Sequence, residues 1–286
     1  MNIQWQQQVV LITGASGGIG SAIAKALDKK GARLILAGRN EIKLNQLANS
    51  LSGEAIVVTS DITTPQGRET LYRACEGASV SILINNAGST HVGQFNTAPI
   101  EALVNLNLTA PMLLTQRLIP LLARRSHAHV VNVGSAFGSI GFAAHSTYCA
   151  TKFALRGWTE SLQREYHNST IDFHYLAPRA TDTTLNDDRV VALNNALGNH
   201  VDHVDVVAKH LINQLEKGKP RVAIGFAERL FAKINGLFPS IVDRALAKKL
   251  PIIEKHAYSA PSTEGASSTC NSQPLSAASA LSNTSR

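Results

Sequence analysis

The chain is short of several things, and each shortage narrows what it can be. It has three cysteines in 286 residues, Cys75, Cys149 and Cys270. Their spacing supplies neither a metal-ligand cluster nor an even-numbered disulfide framework, which points to a reducing, cytoplasmic setting. No apolar run reaches the roughly 18 residues of a membrane-spanning helix. The opening MNIQWQQQVVLITG lacks the basic-then-apolar order of a signal peptide. Blocks of like charge are also missing. Lys+Arg outnumber Asp+Glu 27 to 20, yet the basic residues are scattered. Nucleic-acid binding is therefore not expected, and an anionic small ligand accounts for the surplus equally well.

What is present is apolar material, 44% of the chain against 16% charged, enough for one large core. Short β-like runs alternate with helical patterns. QVVLIT (8–13), RLILAG (33–38), AIVVTS (55–60), VSILINNAG (80–88), HVVNVGS (129–135) and IDFHYLAP (171–178) read as strands. Helices are expected at 21–31, closed by Gly31, and at 41–51, 65–76, 99–123 and 146–167. Continuous apolar strands between helices predict an α/β, doubly wound parallel sheet with helices on both faces. The expected division is a dinucleotide-binding catalytic domain over 1–225, an amphipathic helical extension over 226–257, and a Ser/Thr-rich disordered tail over 258–286.

The first strand runs into TGASGGIG, with Gly14, Gly18 and Gly20 spaced G-x3-G-x-G ahead of a helix. Glycines here let the backbone turn sharply and approach a pyrophosphate, which the helix N-terminus favours. The alternative is an ordinary tight turn; strand–loop–helix context favours dinucleotide binding. The second strand ends LILAGRN. Gly38 stands where an NAD site usually has a carboxylate, and Arg39 follows it. Arg39 is therefore expected to fork onto a ribose 2′-phosphate, making the cofactor NADP(H), with Ser16 as a helper.

HSTYCATKFALRGW places Tyr148 and Lys152 one helical turn apart on one face. Ser135 lies at the carboxyl edge of the fifth strand, 13 residues before Tyr148, where open α/β sheets bind ligands. With TGASGGIG and NNAG (85–88), these motifs resemble the short-chain dehydrogenase/reductase family over about residues 7–225. The resemblance implies hydride transfer between a nicotinamide cofactor and a ketone or secondary alcohol, with a hydrophobic or acyl substrate suggested by the oily extension. Tyr148 would be the acid/base, with its pKa lowered by Lys152 and the oxidised nicotinamide. Ser135 would hold the carbonyl oxygen, and Lys152 would also bind the nicotinamide ribose. Asn107, rather than Asn105, would hold a water relaying protons to Lys152. Ile19 belongs to the glycine loop, Asp61 resembles the holder of the adenine amino group, Asn86 the residue fixing the fourth strand, and Thr183 the threonine beside the nicotinamide amide. A homodimer or homotetramer is usual in the family. The rival reading is a non-catalytic cofactor sensor or scaffold on the same fold; the intact Tyr148–Lys152 pair argues against it.

Two departures stand out. Arg179 occupies the usual glycine after Pro178, facing either solvent or an anionic substrate. Gly134 replaces a more usual serine, with no consequence expected. His200 and His203 with Asp202 and Asp205 lack a third clear ligand, so no metal is expected, and either aspartate is expected to cap the next helix. Residues 226–250 form a basic amphipathic stretch whose apolar positions make one oily stripe, divided by Pro239. That stripe would lie on a membrane, cover the substrate pocket or pack in a dimer.

Overall fold

In the computed structural model, which describes residues 3–183 and 186–258, the apolar runs form seven parallel strands. These are β1 (Val9–Thr13), β2 (Arg33–Gly38), β3 (Ala55–Thr59), β4 (Ile82–Asn85), β5 (Ala128–Val133), β6 (Ile171–Ala177) and β7 (Arg221–Ala223). Their order is β3-β2-β1-β4-β5-β6-β7, a Rossmann-like sheet whose direction of winding reverses between β1 and β4. A crevice opens there at the carboxyl ends. Every residue of β1, β4 and β5 is buried, as a sheet covered on both faces requires.

Alternation along each strand sends side chains to two cores. Val10 and Ile12 pack with α1 (Gly18–Asp28), α2 (Glu41–Asn49) and α8 (Val204–Glu216). Val9 and Leu11 pack with α3 (Pro65–Ala78) and α5 (Ala110–Leu122). Gly31 closes α1 in the left-handed region, φ 86°, where glycine carries no Cβ penalty.

The helix expected over 99–123 is not one regular α-helix. It comprises α4 (Ile100–Val104), a π-helical turn over Asn105–Thr109, and α5. The π turn widens the coil at Asn107, as such insertions commonly do at functional sites. Beyond α6 (Ser146–Glu165), α7 (Asp188–Ala196) breaks the polar loop. The extension folds as α9 (Phe226–Leu237), α10 (Pro239–Ala247) and α11 (Leu250–Ala257), with Pro239 starting the second helix. α11 returns onto α7, burying Ile253 and Ala257 with Val92, Ala144 and Leu193. An isolated two-turn helix would not hold in water, so this burial is what orders α11. The tail after Tyr258, including Cys270, lies outside the described residues.

The oily stripe of 226–250 does not stay together. Val242 is fully buried, and Phe231, Ala245 and Leu246 turn into the central cavity. Phe226, Leu230, Leu237, Phe238 and Ile241 face outward. Hydrophobic spacing registers apolar positions without saying which neighbour each one meets.

Candidate active site

One cavity of about 1130 Å³ runs from Arg39 to the extension. At its nucleotide end the chain must turn from β1 into α1 without side chains. Gly14 has φ 63°, and a Cβ there would come within 2.8 Å of Ala87 Cα. A Cβ on Gly20 would collide with Gly14 O. Asn86 ties the turn down by donating from Nδ2 to the Thr13 and Gly14 carbonyls at 3.0 and 3.1 Å. Gly18 touches Thr183 across the loop, and both line the cavity with Ser16 and Ile19. The cradle is thus glycine-walled and rigid, which fits a dinucleotide pyrophosphate at the amino end of α1.

Arg39 lies exposed on the cavity rim after β2. Lys43, in the first turn of α2, joins it there, a second cation that the sequence did not single out because Arg39 precedes the helix. Asn40 caps α2, its Oδ1 accepting from the Lys43 amide at 2.9 Å. Asp61 also borders the cavity. The Thr63 hydroxyl and amide bond its carboxylate and hold its pKa below the usual range.

At the chemical end, Ser135, Tyr148 and Lys152 line one wall. Ser135 Oγ accepts from the Phe137 amide at 3.1 Å, leaving its own hydrogen to donate. Lys152 Nζ is buried, donates to Val133 O at 3.1 Å, and lies 5.6 Å from the Tyr148 ring centre. Burial pushes Tyr148 up to about 12, and its hydrogen bond with Ser135 opposes this only in part. Burial also lowers Lys152 to about 8. The pair is one turn apart as expected, and desolvation is the largest influence on both groups.

That burial makes a stability prediction. The Lys152 pKa falls from 10.5 unfolded to about 8 folded, so between these values the unfolded chain binds more protons. Stability contributed at this position is therefore lowest below about pH 8 and recovers as pH rises to about 10.5. Relative to Lys152→Met, wild type should gain on the order of 3 kcal/mol across that window. Denaturant unfolding of both proteins at stepped pH checks this; a difference independent of pH would show that Lys152 is not desolvated.

Asn107 is buried, and Asn105 is exposed, which separates the two candidates. The Asn107 side chain, however, is occupied by protein. Its Oδ1 accepts from Ser89 N at 2.8 Å, and its Nδ2 donates to Ser89 O and to Thr151 Oγ1 at 2.8 and 3.2 Å. These bonds clamp the chain segment after NNAG beside Lys152.

Two further expectations change. Arg179 lines the cavity but is paired within the protein: its guanidinium forks onto Asp202 at 2.8 and 2.9 Å and reaches Glu228 at 3.4 Å. Asp202 is thereby consumed, and His203, not an aspartate, caps α8 by accepting from the Asp205 amide. Gly134 is not incidental. A side chain there would collide with the Tyr175 ring, whose hydroxyl sits 3.4 Å from both Ser135 N and Ser135 O. Tyr175 thus fills the space behind Ser135. The sequence offered no sign of this, because the two residues lie 40 positions apart. An aromatic wall was missed too: Phe137 stacks on Phe142 at 5.1 Å and approaches Tyr148 at 6.4 Å, with buried His145 between.

This fold and site have recorded relatives. Residues 8–193 match the family model described as short chain dehydrogenase. An uncharacterized oxidoreductase of Staphylococcus epidermidis is 31% identical over 185 residues, 63% of this chain and 80% of its own. Another from Bacillus subtilis is 29% identical over 270 residues, 88% of this chain and 74% of its own. Among solved structures, a short-chain dehydrogenase from Sphingobium yanoikuyae in complex with NADPH superposes with TM-score 0.69 at 26% identity, covering 82% of this chain and 95% of that one. A short chain dehydrogenase/reductase from Burkholderia phymatum in complex with NAD superposes at 0.75, with 20% identity, 84% of this chain and 96% of that one. Among the described residues no helix is long and apolar enough to cross a membrane. The chain belongs to the short-chain dehydrogenase family and is an oxidoreductase of that fold.

Proposed function

We propose that this enzyme uses NADP(H) to interconvert a ketone and a secondary alcohol on a large hydrophobic or acyl substrate. The observation that carries the reading is that one cavity joins Arg39 at one end to Ser135, Tyr148 and Lys152 at the other. The glycine loop with Ser16 and Ile19, Arg39, Asp61, Asn86, Lys152 and Thr183 would hold the dinucleotide. When bound, its nicotinamide supplies or accepts the hydride. Ser135, whose hydroxyl bonds Tyr148 in this structure, turns its hydrogen to the substrate oxygen. Tyr148, protonated at neutral pH, gives its proton to that oxygen as negative charge develops there. Lys152, still cationic below about pH 8, then stabilises the tyrosinate left behind.

The substrate half explains the preference for an oily molecule. Ile140, Phe142, Leu193, Phe231 and Leu246 line it, and such surfaces contribute by excluding water from the substrate. The test is NADPH-dependent reduction of ketones graded in chain length. The ratio kcat/KM should rise with length, and Phe231→Ala should abolish most of that rise while leaving a short ketone unaffected. A flat length profile in wild type would remove the hydrophobic assignment.

Buried, free Cys75 and Cys149 fit a reducing, cytoplasmic setting. The outward side of α9 and α10, with Phe226, Leu237 and Phe238 exposed, belongs either to a second subunit of a homodimer or homotetramer or to a membrane surface. Sedimentation and binding to anionic vesicles distinguish these.

A further inference from the structure

A second cluster of chemistry-bearing side chains lies at the opposite end of the sheet. His127 immediately precedes β5 and His129 lies within it; Asp172 and His174 lie in β6. In a strand, residues two apart share a face, as Asp172 and His174 do. The parallel register pairs His129 with Asp172, which brings these three onto one face of neighbouring strands, and His127 joins them from the residue before β5. His127 Nε2 is 3.1 Å from Asp172 Oδ2, His129 Nδ1 is 3.8 Å from the same oxygen, and His129 Nδ1 is 3.2 Å from His174 Nε2.

We propose that His127, His129 and Asp172 form a site for a zinc-class divalent cation that joins β5 to β6, with water completing the tetrahedron. Zinc–nitrogen bonds of about 2.0–2.1 Å in a tetrahedron place donor atoms roughly 3.3 Å apart. The His127–Asp172 separation of 3.1 Å is already close to that value and the His129–Asp172 separation is 3.8 Å, and ligand atoms from His127, His129 and Asp172 all lie within 4.8 Å of one another. His174 Nδ1 is oriented by the Lys219 carbonyl at 3.0 Å. This sets the tautomer with its Nε2 lone pair facing His129, the outer-shell arrangement that metal-binding histidines use. His127 and Asp172 are partly exposed and give the ion a path in from solvent. Two imidazole nitrogens and one carboxylate oxygen suit zinc better than magnesium or calcium. Ser135 lies six residues along from His129, about 20 Å of extended strand, so the site is separate from the hydride chemistry.

The experiment is a zinc titration of chelator-stripped, full-length protein, using competition with a chromophoric chelator and metal analysis for stoichiometry. Wild type should bind one zinc per chain and, with cobalt(II) substituted, show the intense visible absorption of a tetrahedral ion. His127→Ala and Asp172→Asn change partly exposed side chains, so their unaltered far-ultraviolet circular dichroism should certify folding. Each should weaken zinc binding by about tenfold or more, whereas His200→Ala, in the other histidine-rich segment, should bind as wild type does. Absence of binding in wild type, a smaller loss in both variants, or loss in His200→Ala would overturn the assignment.

Discussion

Tyr148→Phe is expected to lose at least about two orders of magnitude in turnover, in line with removal of a general acid, while its NADPH affinity changes little. The substitution deletes one hydroxyl. The ring still packs edge-on against Phe137 and near His145, so the wall of the site is retained. What goes is the proton that the substrate oxygen requires. With a pKa raised to about 12, the phenol is fully protonated at neutral pH, the form that reduction needs. The same elevation makes the tyrosinate costly to form, which is why a nearby cation matters. Reduction should accordingly decline above about pH 8, where Lys152 surrenders its proton. Steady-state rates and fluorescence titration of NADPH with both proteins give the answer, and turnover in the variant within threefold of wild type would remove Tyr148 from the mechanism. Lys152→Ala should damage turnover and cofactor affinity together, because the residue faces both.

Arg39→Ala is expected to weaken NADPH while leaving NADH almost untouched. Hydrogen bonds to a charged partner contribute about 1.5–3 kcal/mol, which corresponds to roughly 10- to 150-fold in affinity. Lys43 on the same rim adds a point charge without the planar fork, so Lys43→Ala should cost less than Arg39→Ala. Replacing Gly38 by aspartate together with Arg39→Ile should reverse the preference, since a carboxylate would bond the ribose hydroxyl and repel a phosphate. The space allows it: a Cβ at Gly38 would meet Ser16 Oγ at 3.4 Å, ordinary contact. Dissociation constants for both cofactors decide the matter. A wild type that binds NADH as tightly as NADPH would leave Arg39 as a solvated turn residue.

The parts of this enzyme that could be read in one dimension are those built by neighbouring residues. Tyr148 and Lys152 share a face because a helix turns every 3.6 residues. Gly14, Gly18 and Gly20 mark a strand-to-helix turn because the backbone there has no room for side chains. Ser135 and Asn86 sit at strand ends, and strands in a parallel sheet present those ends together. Spacing and strand order carried all of this. The remainder depended on register and packing between distant segments. Arg179 found Asp202 only when the chain after β6 met the start of α8. Tyr175 filled the hollow left by Gly134, α11 lay down on α7, and the oily stripe of the extension was divided between cavity and surface. His127 and His129 met Asp172 and His174 because β5 and β6 pair in one particular register. The tyrosine's raised pKa has the same origin, since desolvation is set by everything that surrounds a group, and only the folded chain supplies those surroundings.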